Sequence, residues 1–204
     1  MSARSPELAR RFFTNLGRVR NLIDCHAALQ PLAPPGADDV LRAAVVLLHA
    51  TLEDLLREAE GMAMRADPAL RARALTLPDG LERFTMAELA PFLGSTVADL
   101  FEQSVARYLN QRTYSNIGQI AAVLRDLGLR TDPWLKSLAP PLDQMTSRRH
   151  LIAHYADQTV DASGRTLQRP IHPAVLAPWI VAVEHIGDRV IAHLGTQPPA
   201  GSSP

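Results

Sequence analysis

Leu41-Arg42-Ala43-Ala44-Val45-Val46-Leu47-Leu48-His49-Ala50-Thr51-Leu52-Glu53-Asp54-Leu55-Leu56-Arg57-Glu58-Ala59 is the stretch that decides the fold. Leu41, Val45, Leu48, Leu52, Leu55 and Ala59 recur at three- and four-residue steps, the spacing that aligns one face of an α-helix and buries it. The periodicity predicts a long helix from about Asp38 to Arg65. The apolar run Val45-Val46-Leu47-Leu48 is soon followed by Glu53 and Asp54, well short of the roughly 20 apolar residues that cross a bilayer.

The rest of the chain carries the same kind of signal. Ser5-Pro6-Glu7 combines a cap, a proline tolerated in the first turn and an acid suited to the helix dipole, so a helix should run from there to about Leu29. Pro31, Pro34, Pro35 and Gly36 should break it. Pro68 to Gly80 reads as an irregular connection with one helical turn, and Thr85 with Glu88 as a capping box for a short helix ending near Gly94. Thr96 opens another helix through Leu109, and Ser115 a third that stops at Gly128, where a left-handed cap is cheap. Asp132-Pro133 starts one more, interrupted by Pro140-Pro141, after which a helix spans about Leu142 to Tyr155. Asp161-Ala162-Ser163-Gly164 is a turn signal, so Val160 to Ile171 should form a small hairpin or ordered loop. Pro173 begins a last amphipathic helix through His193. The expected architecture is one all-α domain over residues 1–195, an antiparallel helical bundle, followed by a disordered Pro/Gly/Ser-rich tail over 196–204.

Composition narrows the function. A chain of 204 residues that is 47% hydrophobic can bury a proper core. Lysine plus arginine equal aspartate plus glutamate at 21 each, so no global field draws the protein to nucleic acid or an acidic membrane. RNA binding, if present, must come from a local patch. Cys25 is the sole cysteine, which excludes an intramolecular disulfide and any multi-cysteine zinc site, and it reads as a small buried apolar residue. The charged N-terminus lacks a signal-peptide apolar core, so the chain reads as soluble and cytoplasmic.

Chemistry concentrates in Ser147-Arg148-Arg149-His150-Leu151-Ile152-Ala153-His154-Tyr155. Arginine is a permanent cation whose planar fork holds a phosphate, and histidine moves a proton near neutral pH. Leu142, Met145, Arg149, Ile152 and Ala156 share one helix face, so Arg149 stands where an apolar residue would otherwise be buried and needs a partner. Glu53 is the candidate. His150 and His154 lie one turn apart and can look at the same space. Their spacing also suits a metal pair, but no third ligand lies nearby in sequence, and no metal or cofactor is expected. His49 with Glu53 reads as an exposed helical pair. Trp134 and Trp179 read as core or interface anchors.

Arg149 followed by four residues and His154 resembles the HEPN superfamily (higher eukaryotes and prokaryotes nucleotide-binding domain), whose mark is an arginine, four to six residues, then a histidine. Val46 to Arg57 is similar to the family's early long helix with its acidic residue. Ser115-Asn116-Ile117-Gly118-Gln119-Ile120 and Leu127-Gly128-Leu129 are similar to the segment before the motif in the RiboL-PSP-like branch. The resemblance spans roughly residues 35 to 195.

It implies an all-α fold of the HEPN type that dimerises with the motif helices facing. It also implies a metal-independent endoribonuclease, acting as a toxin or phage-defence effector, with RNA as substrate and an antitoxin or other neutralising protein as partner. Arg149 and His154 would be catalytic, with His150, Arg148 and Glu53 supporting. The alternative is a catalytically silent HEPN module that dimerises and binds RNA, nucleotide or a partner protein as a regulator.

Overall fold

The computed structural model describes residues 4–75, 87, 90 and 93–196. The described residues form an all-α bundle with one small hairpin: α1 Arg4–Leu29, α2 Pro34–Ala66, α3 Pro68–Leu75, α4 Val97–Gln111, α5 Ile117–Asp126, α6 Trp134–Tyr155, β1 Gln158–Val160, β2 Thr166–Gln168 and α7 Pro173–Thr196. All six stripe residues of α2 are buried, and they pack with Leu8, Phe12, Leu16 and Val19 of α1 and with Leu176, Val183, Ile186 and Val190 of α7. α1 and α2 run antiparallel. Arg11 meets Asp54 at 2.8 Å at one end of the α1/α2 pair, and His26 lies 3.9 Å from Asp38 at the other.

Proline behaves by position. The break after Leu29 falls where expected, but Pro34 and Pro35 already open α2, ahead of the expected start near Asp38, in a turn whose N–H groups have no helical acceptor in any case. The expected interruption at Pro140-Pro141 fails, because α6 runs continuously from Trp134 through both prolines to Tyr155. Their missing N–H groups free the carbonyls four residues back, at Lys136 and Ser137, and both residues are exposed and can be hydrated. Leu135, Leu138, Leu142 and Met145 keep the buried face unbroken across the site.

The connection after α2 is more regular than expected. Asp67 accepts from Ala69 N at 2.8 Å and starts α3, while Arg71 donates to the Met64 and Arg65 carbonyls left open at the end of α2. The expected Thr85/Glu88 capping box lies outside the described residues, as do 197–204; Thr196, expected in the tail, ends α7. Thr96 and Asp99 form a reciprocal capping box on α4. Asn116, rather than Ser115, caps α5, and Gly128 takes φ +83° just beyond it. The hairpin pairs Gln158 with Gln168 and Val160 with Thr166, antiparallel. Among the described residues no helix is long and apolar enough to cross a membrane.

α1 and α7 approach closely at Gly187, where an added Cβ would collide with the Phe12 ring. Alanine gains about 1 kcal/mol of helix propensity over glycine, but overpacking a core costs about 1–3 kcal/mol. Gly187→Ala should therefore lower the thermal midpoint, and a midpoint that rose would show that Phe12 yields freely.

Candidate functional site

The motif helix ends on a buried carboxylate. Ala156 and Asp157 both take left-handed backbone conformations, φ 50° and 57°, and the Asp157 side chain is fully buried. Its Oδ2 accepts from Arg42 Nε of α2 at 2.9 Å and from an Arg148 terminal nitrogen at 2.7 Å. The same two guanidinium groups donate to the Arg169 carbonyl, and Arg148 also to that of Pro170. Asp157 thus joins α2, α6 and the segment after β2. Arg148, expected to support chemistry, is spent on this lock, because only a paired arginine is tolerated beside a buried carboxylate. Asp157 and Arg42 were missed in sequence. They lie 115 residues apart.

Arg149 is placed differently. It is half-buried, and among the described residues it makes no hydrogen bond or ion pair. Glu53, its expected partner, acts on it through the field rather than by a direct bridge. The His49 ring above all holds the Glu53 carboxyl below the usual carboxylate range, against burial that pushes it up, and Arg149 and Arg57 lower it further. His49 corrects an expectation. It is buried, not exposed, with Nδ1 3.6 Å from Glu53 Oε2 and no hydrogen bond to either ring nitrogen.

His150 and His154 are exposed, and their rings lie 4.6 Å apart, tilted by 47°. Tyr155 sits beside His150 at 5.7 Å. Among the described residues no third histidine, cysteine or carboxylate joins them in a metal-binding group. Nor does any contact tie His154 to Arg149. Five residues apart, they point about 140° from each other on one helix. The structure thus gathers the two histidines with each other, while Arg149 stands apart from them and meets Glu53 only through its charge.

Along the α2/α6 seam runs an open groove of about 560 Å³. Ala43, Val46, Leu47, Ala50, Ile152 and Ala156 form its apolar floor, with Asp39, Arg42 and Gln168 at the rim. Farther along α2, the fully buried Glu60 accepts from the Tyr114 hydroxyl at 2.8 Å and lies 3.1 Å from Arg112. Burial and then Glu60 push the Tyr114 phenol far above its ordinary range. This cluster fixes the α4–α5 connection to α2.

Three lone residues complete the placement. Trp179 is a core residue. Trp134 packs against the core, donates to the Arg130 carbonyl, and carries His185 and Arg189 on its ring. Cys25 is exposed rather than buried, since it lies about 140° around α1 from the line of Phe12.

Removing the Asp157 charge leaves Arg148 without its counter-ion and the buried Arg42 with only the exposed Asp39. Asp157→Asn should cost about 3–5 kcal/mol of unfolding free energy, measurable by urea denaturation, whereas Arg148→Lys should cost less while still destabilising. A neutral Asp157→Asn would mean the lock holds nothing together. No family model, no curated protein and no solved structure matches this chain, so what it does has to be argued from these side chains.

Proposed function

We propose that the protein is a metal-independent endoribonuclease of the HEPN type, built from Arg149 and His154 in a cleft shared by two copies of the chain. The observation that carries this reading is the division between the adjacent arginines. Arg148 is consumed by Asp157, while Arg149 keeps its guanidinium unpaired at the surface seam. An arginine spared from protein partners, on the same stretch of helix as two exposed histidines, is equipped to receive a phosphate.

The reaction follows from the side chains. His154 takes the proton of a ribose 2′-hydroxyl, the 2′-oxygen bonds to the adjacent phosphorus, and the bond from phosphorus to the 5′-oxygen breaks. Arg149 stabilises the charge growing on the phosphoryl oxygens. His150, against the His154 ring, supplies a proton to the leaving 5′-oxygen. The products are a 2′,3′-cyclic phosphate and a 5′-hydroxyl, and DNA is spared for want of the 2′-hydroxyl.

Two copies are needed because Arg149 and His154 diverge on their own helix. A second chain seated on the apolar groove would bring one protomer's arginine toward the other's histidine. Val46 at the groove and Tyr155 just past its end expose apolar surface for such a contact. The neutral net charge leans the other way, toward the silent module, because it supplies no long-range attraction for RNA. A toxin or defence role with a neutralising protein partner is consistent with this chemistry.

The purified protein should cut RNA in EDTA, and His154→Ala should lose about 10²–10⁴ of the rate while keeping its fold. Arg149→Lys keeps the cation and loses the fork, so its rate should drop about tenfold or more at unchanged stability. Sedimentation should give a dimer. Cleavage that survived His154→Ala would remove the mechanism and favour a silent module that dimerises and binds RNA, nucleotide or a protein.

A further inference from the structure

We infer that His49 is a positioning residue for Arg149, acting through Glu53; this rests on the ribonuclease reading above. His49 is 1% exposed, so it touches no substrate. Both ring nitrogens are buried without a hydrogen bond, and an apolar side chain of similar size would avoid that penalty. What the ring does have is a carboxylate: Nδ1 lies 3.6 Å from Glu53 Oε2, one helical turn on.

Arg42 on Asp157, and Ala50 and Ile152 in one groove, set α2 and α6 antiparallel, so Glu53 and Arg149 lie toward the same end of the seam. The charges of His49 and Arg57 act on Glu53 from α2 and that of Arg149 from α6. A carboxylate facing a guanidinium tends to close a bidentate bridge, which is the geometry Arg149 would need for a phosphate. The bridge is open here, with Arg149 free of any ion pair among the described residues. His49, holding Oε2 from behind, keeps Glu53 from swinging onto Arg149. The guanidinium is then oriented by the field of Glu53 and remains available to an incoming phosphate. Without His49 the carboxylate becomes a competitor for the substrate.

The test compares two replacements of equal depth. His49→Leu removes the nitrogen and fills the space, so the fold should be at least as stable. RNA cleavage should nevertheless fall about tenfold or more, chiefly through a raised KM, as one charge-assisted contact is redirected. His49→Asn places an amide donor near the position of Nδ1 and should retain most activity. In His49→Leu/Glu53→Gln the competing carboxylate is gone, and activity should partly return.

A second readout needs no turnover: the Arg149 Nε–Hε resonance should shift in His49→Leu and respond less to added inorganic phosphate. His49→Leu that cleaves like the parent, with that resonance unmoved, would overturn the inference. So would a double variant no better than His49→Leu. If the parent protein itself fails to cleave RNA, the ribonuclease reading falls, and the resonance and phosphate titration still decide whether His49 governs Arg149.

Discussion

A buried carboxylate between two arginines sets the geometry of everything near the motif. Asp157 is fully buried at the point where α6 ends, in a backbone conformation that glycine adopts more readily than aspartate. Ala156 beside it carries the same strain without even a polar side chain to ease it. Such a pair persists only when the surroundings over-determine it. Here Arg42 reaches in from α2 and Arg148 from α6. The Asp157 backbone N–H turns back to Leu151, and its carbonyl accepts from Arg169. Removing any one of these would release the end of the helix that bears both histidines.

The lock also shows why α2 is longer and more polar than a core helix needs to be. Its apolar stripe faces α1 and α7. About 100° around the same helix, Arg42, His49, Glu53 and Glu60 fall within about 20° of a single line, since steps of seven, four and seven residues nearly close on 3.6 per turn. Three of the four are buried and Glu53 half so. They divide the seam between them. Arg42 fixes the end of α6, His49 pairs with Glu53, whose charge acts on Arg149, and Glu60 secures Tyr114 and the α4–α5 connection. Buried charges seldom add much net stability, because desolvation offsets their attraction. They do penalise any arrangement that separates the partners, so this seam specifies how α6 lies on α2.

Much of the fold was legible because it is written locally. The α2 stripe, the Thr96/Asp99 box, the Gly128 stop and the Asp161–Gly164 turn depend on residues within a few positions of each other. What misled were features whose meaning depends on surroundings. Pro140 and Pro141 look like breakers until the residues whose carbonyls they free, Lys136 and Ser137, prove to be exposed. His49 looks exposed on a helix whose second face happens to be covered. The motif arginines were found, but which of them is spoken for was not legible, because Asp157 finds Arg42 across 115 residues. The polar line on α2 was present in the spacing and could have been read from a helical wheel as a second buried face.

Adjacent arginines on a helix point about 100° apart, so one rotation of α6 assigns both. With Arg148 turned to Asp157, Arg149 has to face the α2 seam beside Glu53, and His154 has to face away with His150. The arginine locked to Asp157 thereby orients its neighbour. A helix carrying only Arg149 and His154 could rotate to pair its arginine with the nearest carboxylate and bury the site. Arg148 prevents this by taking the stronger, fully desolvated partner first. The doubled arginine is best understood as one side chain that fixes the helix and one that is thereby kept available.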